Sequence, residues 1–148
     1  MLSSFSQVFG SRNSVLGDKN VISGNGNQAQ GAINLISGSQ NNLLGRLNVV
    51  NGDFNALLGN FNNVMGNQNI VAGSRNVLNG TANQLTGSGN VLQGSNNVLL
   101  NNSNNNTVSG SGNNLIGRNN SLTGDRNTII QGNANAIIGG GNLVSFGD

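Results

Sequence analysis

The 148-residue chain contains no cysteine, proline, histidine, tryptophan, tyrosine or glutamate, and only 7% of it is charged. Each absence excludes something. Without cysteine there is no disulfide, so cysteine usage carries no information on redox compartment. Without histidine or cysteine the usual acids, bases and nucleophiles of catalysis are missing. The acids are Asp18, Asp53, Asp125 and Asp148. The first three open separate repeat units, and Asp53 and Asp125 fall five coils apart in the arrangement derived below, roughly 24 Å at strand spacing. They read as solvated turn residues. No catalytic pair, metal cluster or cofactor site is expected, and the chain reads as non-enzymatic.

Charge is equally sparse. Net charge is +2, and the sequence pI of about 10.6 is high only because no His, Cys or Tyr buffers mid-range pH. Arg12, Lys19, Arg46, Arg75, Arg118 and Arg126 are scattered along the chain, so no nucleic-acid patch is expected. No run approaches the ~18 apolar residues of a membrane span. The start, Met1-Leu2-Ser3-Ser4-Phe5, has neither the basic nor the apolar region of a signal peptide. The expectation is a soluble chain without a signal peptide.

What is present is glycine, asparagine and aliphatics in strict order. Hydrophobic residues make up 34% of the chain, more than disorder would favour at so low a charge. Glycine recurs at every seventh residue from Gly10 to Gly94. The next place in register holds Asn101, and after short insertions the series continues at Gly110, Gly117, Gly124, Gly132, Gly139 and Gly147. Four residues before each glycine lies an asparagine, from Asn13 to Asn142, with one extra residue at the late insertions. Two after each asparagine lies an aliphatic, from Val15 to Val144. The unit is x-x-Asn-x-(Val/Leu/Ile)-x-Gly, with positions a to g, and it runs from residue 4 to 147. The whole chain, 1–148, reads as one domain.

A coiled coil is excluded, because glycine in every heptad costs about 1 kcal/mol each in a helix and only one position per heptad is reliably apolar. Collagen needs glycine at every third residue. A calcium-binding nonapeptide roll needs an Asp that the motif lacks. A β-solenoid accounts for each position. From c to g the side chains alternate inward and outward. Asn at c and the aliphatic at e face in, d and f face out, and g takes a positive φ that suits glycine. Asn101 at g fits, asparagine being the next most tolerant residue there. Two heptads close one coil of fourteen residues. The fold class is therefore all-β, a β-solenoid or β-roll of about ten coils with two flat parallel sheets, roughly 48 Å long. Inner Asn ladders satisfy one another from coil to coil.

The unit resembles the repeat of the grass, ryegrass-type, ice-binding and ice-recrystallisation-inhibiting β-roll proteins. Ser11-Arg12-Asn13-Ser14-Val15-Leu16-Gly17 and Ser74-Arg75-Asn76-Val77-Leu78-Asn79-Gly80 carry the resemblance, which covers nearly the whole chain. It implies a left-handed roll with inner Val and Asn ladders, and an ice face of outward Thr and Ser at d and f. Here the outward threonines are Thr86, Thr107, Thr123 and Thr128, in no unbroken array.

Alternate heptads fall on opposite faces, if the insertions are absorbed at turns. Face A places Leu16, Leu44, Leu58, Leu100, Ile116 and Ile130 in its outward f column. So long an aliphatic column exceeds the apolar area a monomer normally exposes. The first functional expectation is a structural, self-associating subunit, a homo-oligomer or filament, using face A. Phe5, Phe9 and Phe146 at the two ends would cover the core or seat the next copy. The alternative is ice binding by face B, through Val21/Ser23, Leu35/Ser37, Val49/Asn51, Thr107/Ser109 and Ser121/Thr123. On that reading the protein is extracellular.

Overall fold

The computed structural model describes residues 5–100 and 103–145. Among these residues there are twenty strands, β1 (Gln7–Phe9) to β20 (Leu143–Ser145), and no helix. Odd-numbered strands form one ten-stranded sheet and even-numbered strands the other, each in sequence order. Every pairing is parallel, with partners fourteen residues apart in most of the chain, as in Val21↔Leu35↔Val49. The two-heptad coil is thus the repeating physical unit. The odd sheet is face B and the even sheet face A.

Alternation within each strand puts one residue inside. In β3 (Val21–Ser23), β5 (Leu35–Ser37) and β7 (Val49–Asn51) the flanking residues are exposed and the central Ile22, Ile36 and Val50 are buried. The same e column runs from Ile22 to Ile129 as a single continuous core, with Val15, Ile137 and Val144 partly buried at its ends. Burying each of these aliphatics contributes about 1.5–3 kcal/mol.

The core is only one side chain deep from each sheet, so the turns are held by asparagine instead. Asn41 is typical. Its backbone N–H and its Nδ2 both donate to Oδ1 of Asn27, at 3.0 and 3.1 Å. The second Nδ2 proton goes to the carbonyl of Gly52, 2.7 Å away in the next coil's turn. Each amide therefore staples its own turn to the turns on both sides. The pattern repeats along both edges, and among the described residues no buried side-chain polar atom lacks a partner. This is what makes a column of buried amides tolerable.

Glycine at g is required by two effects. The backbone there has positive φ, 152° at Gly45 and 136° at Gly59. In addition, a Cβ would overlap the carbonyl oxygen of the glycine one coil on, Gly59 for Gly45 and Gly73 for Gly59.

Two details depart from expectation. Asn101 lies outside the described residues, and the place opposite Gly87 in the glycine column belongs to Ser103. Its carbonyl accepts from Asn90 Nδ2 at 2.6 Å, as a glycine's would. Pairing therefore moves to a sixteen-residue offset, Val91↔Thr107 and Val98↔Asn114. The buried Ser103 hydroxyl is satisfied by donating to Leu100 O at 2.7 Å. The later one-residue insertion is not taken up in a turn. Between β16 (Asn114–Arg118) and β18 (Thr128–Asn133) the register shifts, so that Ile130 and Gln131 together oppose Ile116. This is a β-bulge, a strand's ordinary way to hold one extra residue.

Candidate functional site: two flat faces and two edges

The odd sheet presents two outward columns. The d column runs Val21, Leu35, Val49, Asn63, Val77, Val91, Thr107 and Ser121 in direct register. The f column beside it runs Ser23, Ser37, Asn51, Met65, Asn79, Gln93, Ser109 and Thr123. All of the face B residues singled out from sequence are exposed, except Ser109, which is half-buried. They fall in two blocks, Val21 to Asn51 and Thr107 to Thr123. Val77 and Val91, which the heptad phase also puts in this d column, continue it between them, beside Asn79 and Gln93 at f. The strand geometry sets the grid at ~4.8 Å along the stack and ~6.7 Å between columns. Valine and threonine are stiff at χ1, so Val21, Val49, Val77, Val91 and Thr107 hold their methyl groups in nearly fixed positions.

The even sheet carries two hollows beside its outward columns. Leu16, Leu44, Leu58 and Ile130 are exposed, whereas Leu100 and Ile116 are half-buried. Gln30 and Ala72 interrupt the leucines in register. A hollow of about 400 Å³ is lined by Ser14, Leu16, Gln28, Gln30, Asn42 and Leu44. Another, of about 370 Å³, lies against Leu44, Ala56, Leu58, Ile70 and Ala72. At the amino-terminal end Phe5 and Phe9 are exposed, as is the inward-register Val8. Phe146 lies outside the described residues.

The edges are the turns g-a-b-c. Their b residues share a left-handed backbone that the reading of the repeat did not anticipate, with φ of 58° at Arg12, 60° at Ile33, 56° at Leu47 and 59° at Phe54 and Phe61. The signal was there in Gly26, Gly89 and Gly112, and in Asn96, Asn105 and Asn119, all at b. Asp53 and Asp125 are not free carboxylates. Each accepts a backbone N–H from the previous coil, that of Ser39 at 2.6 Å and of Ser111 at 2.7 Å. Asn25, Asn60 and Asn67 do the same at other a positions. Among the described residues no three His, Cys, Asp or Glu side chains gather as metal ligands.

A family model described as grass antifreeze beta roll matches residues 3–99. The chain belongs to the grass antifreeze β-roll family. The match covers about two thirds of the chain and ends where the two-residue insertion begins, yet the coils beyond Leu100 extend the same two sheets. No curated protein matches the chain. Membership agrees with the resemblance carried by the heptad. It is membership in an ice-binding structural β-roll family and not in a family of enzymes. It favours the ice-binding reading over self-association.

Proposed function

We propose that this chain is a non-catalytic ice-binding protein that inhibits recrystallisation through its odd sheet. One observation carries the choice of face: the two outward columns there are in unbroken register, with mostly β-branched d side chains beside mostly small polar f side chains. Water over such a grid is held by hydroxyl and amide groups at a fixed repeat, while the intervening methyls cannot compete with it for hydrogen bonds. The hollows of the even sheet, and the β-bulge at Ile130–Gln131 that interrupts its register, disfavour a planar contact. Ice that grows between adsorbed molecules must bulge, and the added surface energy slows transfer of water from small crystals to large ones. The test is recrystallisation inhibition by purified variants. Ser37→Tyr is expected to abolish it and Leu44→Tyr to leave it intact. The opposite pattern, or inactivity of the unmodified chain, rejects the proposal.

A second reading is kept for the even sheet. Leu44, Leu58 and Ile70 are 45%, 55% and 54% exposed within adjoining coils. A contiguous apolar patch of that kind suits contact with a second copy. Sedimentation velocity tests it: association that Leu58→Lys removes supports it, and a monomer at high concentration rejects it.

A further inference from the structure

The two edges of the roll differ in charge and in apolar exposure. One edge, formed by the turns from Gly17–Asn20 to Gly132–Asn135, carries Lys19, Arg46, Arg75 and Arg118 against the single acid Asp18. The opposite edge carries Arg12 and Arg126 against Asp53 and Asp125. Four of the six cations that look scattered in sequence therefore share one side, which carries a net charge of +3, while the opposite edge is neutral, among the described residues. On the basic edge the b column reads Lys19, Ile33, Leu47, Phe61, Arg75 over five successive coils, a ridge about 19 Å long at strand spacing. Ile33, Leu47 and Phe61 are 43%, 36% and 55% exposed. Arg46 stands beside Leu47 in the same turn.

The fold does not call for these apolar residues. Their backbone is left-handed, which costs a non-glycine residue about 1–2 kcal/mol and most of all a β-branched one such as Ile33. The b column of the opposite edge reads Arg12, Gly26, Gln40, Phe54, Gln68, Ala82, Asn96, Gly112 and Arg126, with a single large apolar residue, Phe54. Three large apolar side chains in successive coils, each facing solvent and flanked by Lys19 and Arg75, are matched by no such run on the opposite edge among the described residues.

We infer that this edge docks on the surface of an anionic lipid bilayer. The three apolar tips enter the boundary between headgroups and acyl chains, while Lys19, Arg46 and Arg75 meet lipid phosphate and carboxylate groups. Apolar side chains framed by cations suit that surface. A nucleic acid has no use for the apolar ridge. An edge-on contact leaves both flat sheets clear of the membrane, so the ice-binding face stays available, and the inference does not rest on that reading.

Co-sedimentation of the full chain with vesicles tests it, comparing pure phosphatidylcholine with a mixture containing about 30% phosphatidylserine. The chain is expected to bind the mixed vesicles only, and binding is expected to weaken as salt rises to about 0.5 M. Leu47→Asn combined with Phe61→Asn is expected to lower vesicle affinity roughly tenfold. Asparagine suits the left-handed backbone, so that variant folds, and its recrystallisation inhibition should be unchanged. Phe54→Asn, on the neutral edge, should bind as the unmodified chain does. The inference is overturned by absence of binding to the mixed vesicles, by equal binding of the double variant, or by a lipid-free dimer that depends on Phe61.

Discussion

Oδ1 of Asn48 accepts two hydrogen bonds from Asn62, one coil on: the backbone N–H at 2.9 Å and Nδ2–H at 3.1 Å. The remaining Nδ2 proton of Asn62 goes to Gly73 O at 2.9 Å. Asn62 Oδ1 in turn accepts the backbone N–H and one Nδ2 proton of Asn76. Replacing Asn62 by alanine therefore orphans those two donors and Gly73 O in the next coil, and leaves Asn48 Oδ1 with one donor instead of two. We expect Asn62→Ala to lower unfolding free energy by ~3–5 kcal/mol, each unsatisfied group costing about 1–3 kcal/mol. At Asn13, which is only half-buried near the amino-terminal end, the same change should cost clearly less. Denaturant melts of the two variants check the difference.

Gly59→Ala meets both obstacles at once, a φ of 136° and overlap with the Gly73 carbonyl. The coils cannot separate locally without breaking the ladder beside them. A loss of more than ~4 kcal/mol is expected, at the severe end for single substitutions. Gly139→Ala should be milder, because only the Asn142 amide lies near the added carbon. Thermal unfolding followed by circular dichroism distinguishes them.

At the b positions the sign reverses. Ile33→Asn and Leu47→Gly replace residues held in a left-handed backbone with types that accept it. Each is expected to raise stability by roughly 0.5–1 kcal/mol, less the small apolar burial lost. A fall in melting temperature for both would show that the ridge side chains contribute packing that their exposure does not suggest.

The coil was legible because Gly, Asn and the aliphatic each mark a distinct physical demand at a fixed spacing. Register then followed without further information: Ile22 and Asn41 are buried where the alternation puts them. The b backbone was not legible in the same way, because a left-handed turn admits Arg, Ile or Phe at modest cost and so leaves a mixed column. Ser103 in the glycine column was hidden for another reason. A two-residue insertion can be placed before or after Asn101 by spacing alone, and only the carbonyl that meets Asn90 decides. The bulge at Ile130–Gln131 is a third case, since an extra residue in a strand and one in a turn leave the same count. The function of the faces was the least legible. Both sheets carry aliphatic columns, and the heptad does not show the hollows beside Leu44 and Leu58 on one of them.

Freezing a solution slowly from one side and measuring how the protein partitions between ice and liquid tests ice binding by the odd sheet most directly. We expect the unmodified chain to be enriched in the ice, and Val49→Tyr to be excluded from it as an inert protein is. Exclusion of the unmodified chain, or undiminished enrichment of Val49→Tyr, would contradict the account.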